Sequence, residues 1–530
     1  MEDTFEIGRT AVRGGFYLFI GMFSSTILLA FTTIIVARLL GPENYGLYTL
    51  IMVIPNFLIT VSDIGLSPSL TRFSAKLNTE NKNSELVKLI YTGIITKIII
   101  TSIISIILIT FAEQIGVIVI NRSNIGNLIK ITSIYMIGQT MLNTINSILI
   151  GLDEMGKTSL LRNIESISRS IFSPILIFIG LNITGALIGT GIGFLISSLI
   201  GIIFLSRKLI FLNKNINYNG SKKILKNILY FGMPLYFSSL FQNIEIQIRR
   251  LVMAYNISNI DIGNYSTAMN FSLLIGILLT PITSSIFPAF SKLKIEEERS
   301  KLQNIFKISI KYTSLMVIPV SIILSILSKN IVLILYGNEY KRASFYLSMY
   351  LISYLSTGIG RFIIPAFLNG QGETKRTLEI DIINLFISFT LSAYLISKIG
   401  IPGVFIAITI SQIISNIYGL IIIHKKYGIS MSYISSLKII STSFLSGLIA
   451  IIVQRLVFLN NLILNTIIIG IVYLITLFIT TPLIGTINLN DLNNIQNLTN
   501  EIIVIKPIIS IMLKLQKEII NIRNNLKLFK

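Results

Sequence analysis

The pentapeptide NYGLY, residues 44–48, returns as a weaker copy, IGNYS, at residues 262–266, and this pairing decides the fold. Gly46 falls on Gly263 and Tyr48 on Tyr265, a shift of 217 residues. Working outward, Phe73-Ser74 falls on Phe290-Ser291, GLDEMGKTS (151–159) on GQGETKRT (370–377), and Ile183-Thr184-Gly185 on Ile401-Pro402-Gly403. Each match is weak by itself. An offset held between 217 and 219 residues over so long a stretch marks an internal duplication.

What is duplicated is a membrane unit. The chain has 530 residues, 52% hydrophobic and 13% charged, with a mean hydropathy of +0.78, whereas soluble domains carry about 25% charged residues. Apolar windows long enough to cross a ~30 Å hydrocarbon core recur along the sequence. They predict an all-α integral membrane protein of about 14 transmembrane helices. Residues 1–220 form an N-terminal lobe of spans 1–6, and residues 221–428 a C-terminal lobe of spans 7–12. Spans 13 and 14 occupy 429–487, outside the repeat. Six crossings is an even number, so the two copies share orientation and form a parallel repeat about an axis along the membrane normal. The first apolar stretch, FYLFIGMFSSTILLAFTTIIVA, is too long for a signal-peptide core and reads as a retained first span.

The formal net charge of +21 follows the topology. Most Lys and Arg fall in the terminal segments and in loops on the same side, which by the positive-inside rule makes both termini of a cell-membrane protein cytoplasmic. These cations suit anionic lipid headgroups and give no nucleic-acid signal. The tail, 488–530, ends in Lys and Arg alternating with Ile and Leu. It reads either as an amphipathic helix on the inner membrane face or as a solvated, partly packed tail. With no cysteine and a single histidine, His424, the chain lacks the material for disulfides, thiol catalysis or a zinc cluster. No catalytic residue, metal site or cofactor is predicted.

Charges inside spans are the candidate functional residues, because an ionisable group at mid-membrane costs ~2.5–3.5 kcal/mol on insertion scales and faces the protein interior or water by default. QNIEIQIRRLVMAY (242–255) carries Gln242, Glu245 and Arg249 on one helical face, with Arg250 on the adjoining strip. The repeat maps Arg249 and Arg250 onto Thr32 and Thr33. That face is therefore polar in both halves and charged in one. Arg162, Glu165 and Arg169 repeat the spacing in span 5. Lys97 in span 3 and Arg361 in span 10 add two cations without an acid one turn away. The plain reading is structural pairing, Glu245 with Arg249 and Glu165 with Arg169, at i, i+4. The functional reading is an anionic ligand, since Arg offers phosphate planar bidentate hydrogen bonds and Lys a compact charge. Asp63 either couples an ion or caps the backbone of a broken helix end.

At IIVARLLGPENYGLYTLIMVIPNFL (34–58), DIGLSPSLTRFSAKL (63–77), NSILIGLDEMGKTSLLRNIE (146–165), AFLNGQGETKRTLE (366–379) and IGIPGVFIA (399–407), the chain resembles the polysaccharide transporters. These are Wzx-type lipid-linked oligosaccharide flippases of the multidrug/oligosaccharidyl-lipid/polysaccharide superfamily. The resemblance implies two six-helix lobes around a cavity that opens alternately to either side, and no catalysis. It further implies cavity-lining cations, a role carried onto Lys97, Arg169, Arg249, Arg250 and Arg361. Asp63, Glu165 and Glu245 are then candidate coupling or pairing acids, with Na+, H+ or the membrane potential as the drive. The expected partners are a polyprenyl-linked glycan, glycosyltransferases or a polymerase, and the expected state is a monomer. Two other readings stand beside this one. A cation-coupled multidrug exporter of the related MATE family would want an acid-rich cavity, and a membrane enzyme using lipid-linked glycans would want acidic residues on large outer loops.

Overall fold

The structure, a computed structural model, describes residues 2–212, 221–293, 295–456, 461–499 and 506–525. Among these every regular element is helical. They form two compact units, Met1–Leu273 with Phe389–Ile401, and Leu274–Ser388 with Pro402–Lys530. Among the described residues nine helices are long and apolar enough to cross a membrane, or ten if one bent pair is a single span. Two of these stretches, Leu18–Asp63 and Met155–Leu209, run for 46 and 55 residues and each hold two of the predicted windows. The protein is a multi-pass, all-α membrane protein. Its exposed surface is correspondingly apolar, with side chains such as Ile106 (63%) and Phe178 (84%) facing outward as they would toward lipid.

The first unit contains α1 (Glu2–Ile51), α2 (Val53–Asp63), α3 (Leu66–Thr79), α4 (Asn83–Thr110), α5 (Ala112–Ile118), α6 (Gly126–Gly151), α7 (Met155–Leu176), α8 (Asn182–Leu212), α9 (Ser221–Asn256) and α10 (Asn259–Asn270). Helix α1 is broken at Gly41, whose φ of 71° lies in the region open to glycine, and Pro42 restarts the helix where its missing N–H costs nothing. Helix α8 packs on α6 and α7, α1 on α7 and α10, and α9 along α2 and α3. A core of Leu66, Leu70, Leu86, Ile90, Ile148 and Ile228 fills the space between α3, α4, α6 and α9. The unit boundary thus falls after α10 rather than at the repeat boundary near residue 220. Helices α9 and α10 belong by sequence to the second copy, but they bury their faces on helices of the first.

The second unit follows with α11 (Ser272–Lys292), α12 (Ile295–Ile326), α13 (Ser328–Tyr336), α14 (Lys341–Ile352), α15 (Ile363–Gly370), α16 (Thr374–Ile399), α17 (Ile401–Tyr427), α18 (Tyr433–Leu456), α19 (Leu462–Ile484), α20 (Leu489–Thr499) and α21 (Lys506–Asn525). The α11 and α16 helices cross the unit boundary. Phe290, Phe306 and Phe367 meet edge-on at the centre of its core, Phe367 lying 5.2 Å from each of the other two rings. Such pairs add ~0.5–1.5 kcal/mol beyond their buried area. The tail is anchored by Asp491, which accepts from Lys311 Nζ (2.5 Å), Tyr312 Oη (3.2 Å) and the Asn488 N–H (2.7 Å). Arg523 of α21 donates to the Pro482 carbonyl at 3.0 Å, at the C-terminal end of α19 where a cation is favoured. Leu513 and Ile520 are buried with Leu492, while Ile511, Leu515 and Ile522 lie exposed. The tail is thus amphipathic and packed at once.

The duplication reaches the level of individual ion pairs. Glu154, in the turn between α6 and α7, pairs with Lys208 of α8 at 3.2 Å. Its counterpart Glu373, in the turn between α15 and α16, pairs with Lys426 of α17. The Lys426 ammonium, hydrogen-bonded to Glu373, holds that carboxyl below its ordinary range despite some burial. Both turns also hold a residue in the left-handed region, Asp153 (φ 59°) and its counterpart Gly372 (φ 79°). Compositional drift has erased most of the sequence identity between the copies, yet the turn and its clasp persist in each.

Candidate functional site

The site is built around the place where NYGLY meets its own copy. An added Cβ on Gly46 would lie 1.8 Å from the Asn259 carbonyl oxygen, and one on Gly263 would lie 1.9 Å from that of Pro42. Two side chains could not pass there, so α1 and α10 cross in backbone contact, as small residues permit in membrane helices. One turn on, Thr49 Oγ1 and Ser266 Oγ share a 3.0 Å hydrogen bond across the same 217-residue separation. Residues touching their own counterparts mark a local twofold relation between α10 and the second arm of α1.

Beside this crossing lies a cavity of about 220 Å³. Its wall includes Thr32, Thr33, Tyr45 and Tyr48 of α1, Asn56 of α2, Tyr135 of α6, Arg169 of α7, Arg250 of α9 and Asn270 of α10. Many of the neutral polar groups are bonded to one another. Tyr135 Oη donates to Asn56 Oδ1 at 2.6 Å, Asn270 Nδ2 donates to Tyr45 Oη at 2.9 Å, and the Tyr48 and Thr190 hydroxyls are 3.1 Å apart. Arg169 has Tyr48, Glu165 and Tyr135 as its electrostatic neighbours. Among the described residues the lining holds two arginines and no carboxylate. A preformed hydroxyl frame around two guanidinium groups is suited to an anion with several acceptor oxygens.

Of the five candidate cations, the cavity brings together Arg169 and Arg250; the other three lie elsewhere. Arg249 forms an ion pair with Glu245 one turn before it and has Tyr265, the counterpart of Tyr48, beside it. Arg361, in the second unit, sits at the bend marked by Gly360 (φ 84°) and stacks 5.0 Å from the rings of both Tyr354 and Phe362. Lys97 is buried in an ion pair with Asp63, 3.2 Å away. The two anticipated i, i+4 pairs therefore part company. Glu245 takes Arg249, whereas Glu165 is buried beside Ser166 and makes no ion pair with Arg169 among the described residues.

Sequence reasoning passed over the tyrosines and Arg122. Tyr45 and Tyr48 stand inside the NYGLY motif, where Tyr48 sets the repeat and Tyr45 carries no separate signal. Arg122, in the loop before α6, carries no sequence signal that sets it apart from other loop charges. It donates to the carbonyls of Ala254 (2.8 Å) and Ile257 (2.9 Å) and to Asn259 Oδ1 (3.0 Å), and so grips the turn between α9 and α10. Tyr255 of α9 donates back to the Ile118 carbonyl. Asn259 is the residue whose carbonyl meets Gly46. Loop, turn and crossing are therefore tied together at the Asn256 end of α9, a cluster expected to act as a plug on access to the cavity. Hydrogen bonds to a charged donor are worth ~1.5–3 kcal/mol each, and 1.4 kcal/mol shifts a two-state balance tenfold. In this cysteine-free chain, a single cysteine at Thr33 is expected to react with an impermeant thiol reagent at least about tenfold faster from that side once Arg122→Gln is introduced. An unchanged rate would mean that the plug does not close the cavity.

A family profile described as "Polysaccharide biosynthesis protein" matches residues 11–294, and one described as "MatE" matches 234–395. A protein named for O-antigen transport in Shigella flexneri is 24% identical over 385 residues, covering 71% of this chain and 89% of its own. A capsular polysaccharide biosynthesis protein of Staphylococcus aureus is 24% identical over 204 residues, covering 38% of this chain and 51% of its own. In fold, the chain is similar to the lipid II flippase MurJ in an inward closed conformation, with a TM-score of 0.72 and 21% identity over 88% of this chain and 98% of that one. An inward-facing MATE family multidrug transporter gives a TM-score of 0.63 and 19% identity over 77% and 98%.

Proposed function

We propose a function from one premise: the chain belongs to the polysaccharide biosynthesis protein family. It is a flippase that carries a polyprenyl-(pyro)phosphate-linked oligosaccharide from the cytoplasmic to the outer leaflet by alternating access. The observation that carries this reading is the sign of the cavity, two arginines and no acid among the described lining residues. A pyrophosphate bears about two negative charges, and taking such a charge into hydrocarbon unaided costs on the order of several kcal/mol per ion even after relaxation. Arg169 and Arg250 replace its water shell with bidentate donors, and the tyrosine hydroxyls add neutral hydrogen bonds. A volume of about 220 Å³ is small beside the ~300–1,000 Å³ of ordinary ligand pockets. It suits the phosphate-bearing end, while the lipid tail stays in the bilayer.

The chemistry is movement, with no bond made or broken in the substrate, and relatives named for transport support that. The setting is the cell membrane with cytoplasmic termini, the drive is Na+, H+ or the membrane potential, and the working partners are the glycosyltransferases or polymerase on either side of the step. The MatE match and a multidrug export protein relative of Staphylococcus saprophyticus favour a second reading, drug export. A cavity whose charged lining residues, among those described, are both arginines has the wrong sign for cationic drugs. In proteoliposomes, a fluorophore-labelled polyprenyl-pyrophosphate sugar placed in one leaflet is expected to reach the other, while a cationic dye does not cross. Dye transport without lipid transport would overturn the flippase in favour of the exporter.

A further inference from the structure

Span 2 is broken within its length. Helix α2 stops at Asp63, Ile64 (φ 43°) and Gly65 (φ 76°) follow in the left-handed region, and α3 begins at Leu66. The break is held tightly, since a Cβ on Gly65 would lie 2.3 Å from backbone atoms of Gly232 in α9. A helix that stops here leaves the last carbonyls of α2 without their usual donors, at the negative end of its dipole and beside the Asp63 carboxylate. The Val61 carbonyl accepts from Tyr236 Oη at 3.4 Å. Asp63 Oδ1 accepts from Ser67 Oγ at 2.5 Å.

Lys97 reaches this point from α4. Its ammonium lies 3.1 Å from the Ser62 carbonyl oxygen, 3.4 Å from Ser62 Oγ and 3.2 Å from Asp63 Oδ1. The residue is 1% exposed. A carbonyl, a hydroxyl and a carboxylate at the C-terminal end of a broken membrane helix make the kind of hard-oxygen set that holds a monovalent coupling cation in secondary transporters. We propose that the α2–α3 break is a monovalent-cation site whose cation is covalently supplied, the Lys97 ammonium standing where a free sodium ion would sit. The amine thus neutralises Asp63 and the broken helix end at every stage of the cycle, and this site needs no metal ion from solution. Removing the amine while keeping the oxygens vacates a site for a free cation.

The test does not depend on transport. Purified full-length protein is melted in NaCl and in choline chloride of equal ionic strength. The difference between the two salts in the original chain is the baseline, because a coupling Na+ bound elsewhere would contribute equally to every variant. Lys97→Met should melt lower in choline and recover saturably with Na+, by on the order of 1 °C or more beyond that baseline. Adding Asp63→Asn to Lys97→Met should abolish the additional recovery. A Lys97→Met response to Na+ no larger than the baseline, or an additional recovery that survives Asp63→Asn, would each overturn the proposal. Asp63→Asn alone covers the case in which Lys97→Met does not accumulate. With the amine still in place it should show only the baseline difference between the salts, and a larger gain in Na+ would count against the tethered cation.

Discussion

Replacing Arg169 and Arg250 together by Gln is expected to lower translocation of the labelled glycan lipid about a hundredfold or more in reconstituted vesicles. Each guanidinium offers charge-assisted hydrogen bonds worth ~1.5–3 kcal/mol, so the pair supplies ~3–6 kcal/mol, or about two to four powers of ten. Both side chains line one cavity, and no other cation stands among the described lining residues to take over their role. The single substitutions should sum to more than the double, because either arginine alone leaves the anion short of charge in a shared site. Arg249→Gln supplies the contrast. Its half-buried partner Glu245 would lose this ion pair, a cost that appears first in stability. Adding Glu245→Gln should restore the melting temperature without Arg249 being present. If the Arg169 and Arg250 double variant folds, inserts and transports normally, the cavity is not the substrate path.

Gly46→Val and Gly263→Val are each expected to destabilise the protein by about 3 kcal/mol or more, at the upper end of the range for overpacking. The atoms that a new side chain would meet are backbone, the Asn259 carbonyl for Gly46 and the Pro42 carbonyl for Gly263. No rotamer change can relieve either clash, so α1 and α10 must separate. Separation once accomplished serves both substitutions, and the double variant should therefore cost clearly less than the sum. Gly470→Ala is the matched control, because nothing lies within 4 Å of its added Cβ. Membrane yield and melting temperature in detergent measure the effect. Variants at 46 or 263 that melt with the original chain would show that the crossing is looser than the backbone contact implies.

The readings that could be made from sequence rest on interactions that are local or periodic. Helical spans follow from apolar windows, and the Glu245–Arg249 pair follows from the i, i+4 geometry of one helix. The same rule joins Glu165 to Arg169, and there the fold leaves them electrostatic neighbours without an ion pair among the described residues. Arg169 has Tyr48 of α1 and Tyr135 of α6 beside it as well, a sharing among three helices that no spacing within one helix contains. The alternative that Asp63 serves a broken helix end was also legible, from the helix-breaking residues around it. Lys97 as its partner was not, since 34 residues and a turn separate them in the chain.

By itself the sequence determined that this is an all-α membrane protein, built from a duplicated unit, with its costly charges gathered on particular helical faces. Those conclusions need only composition, period and offset. The tertiary structure decided which charges meet. It set Arg169 and Arg250 in one cavity, sent Lys97 to the α2–α3 break and Arg361 to two aromatic rings, and placed α9 and α10 with the first compact unit. The physical reason is that a membrane helix keeps its own register wherever it packs, whereas the neighbour its polar face meets depends on its rotation and crossing. In this chain those are set by contacts such as Gly46 on Asn259, which bring together segments more than two hundred residues apart.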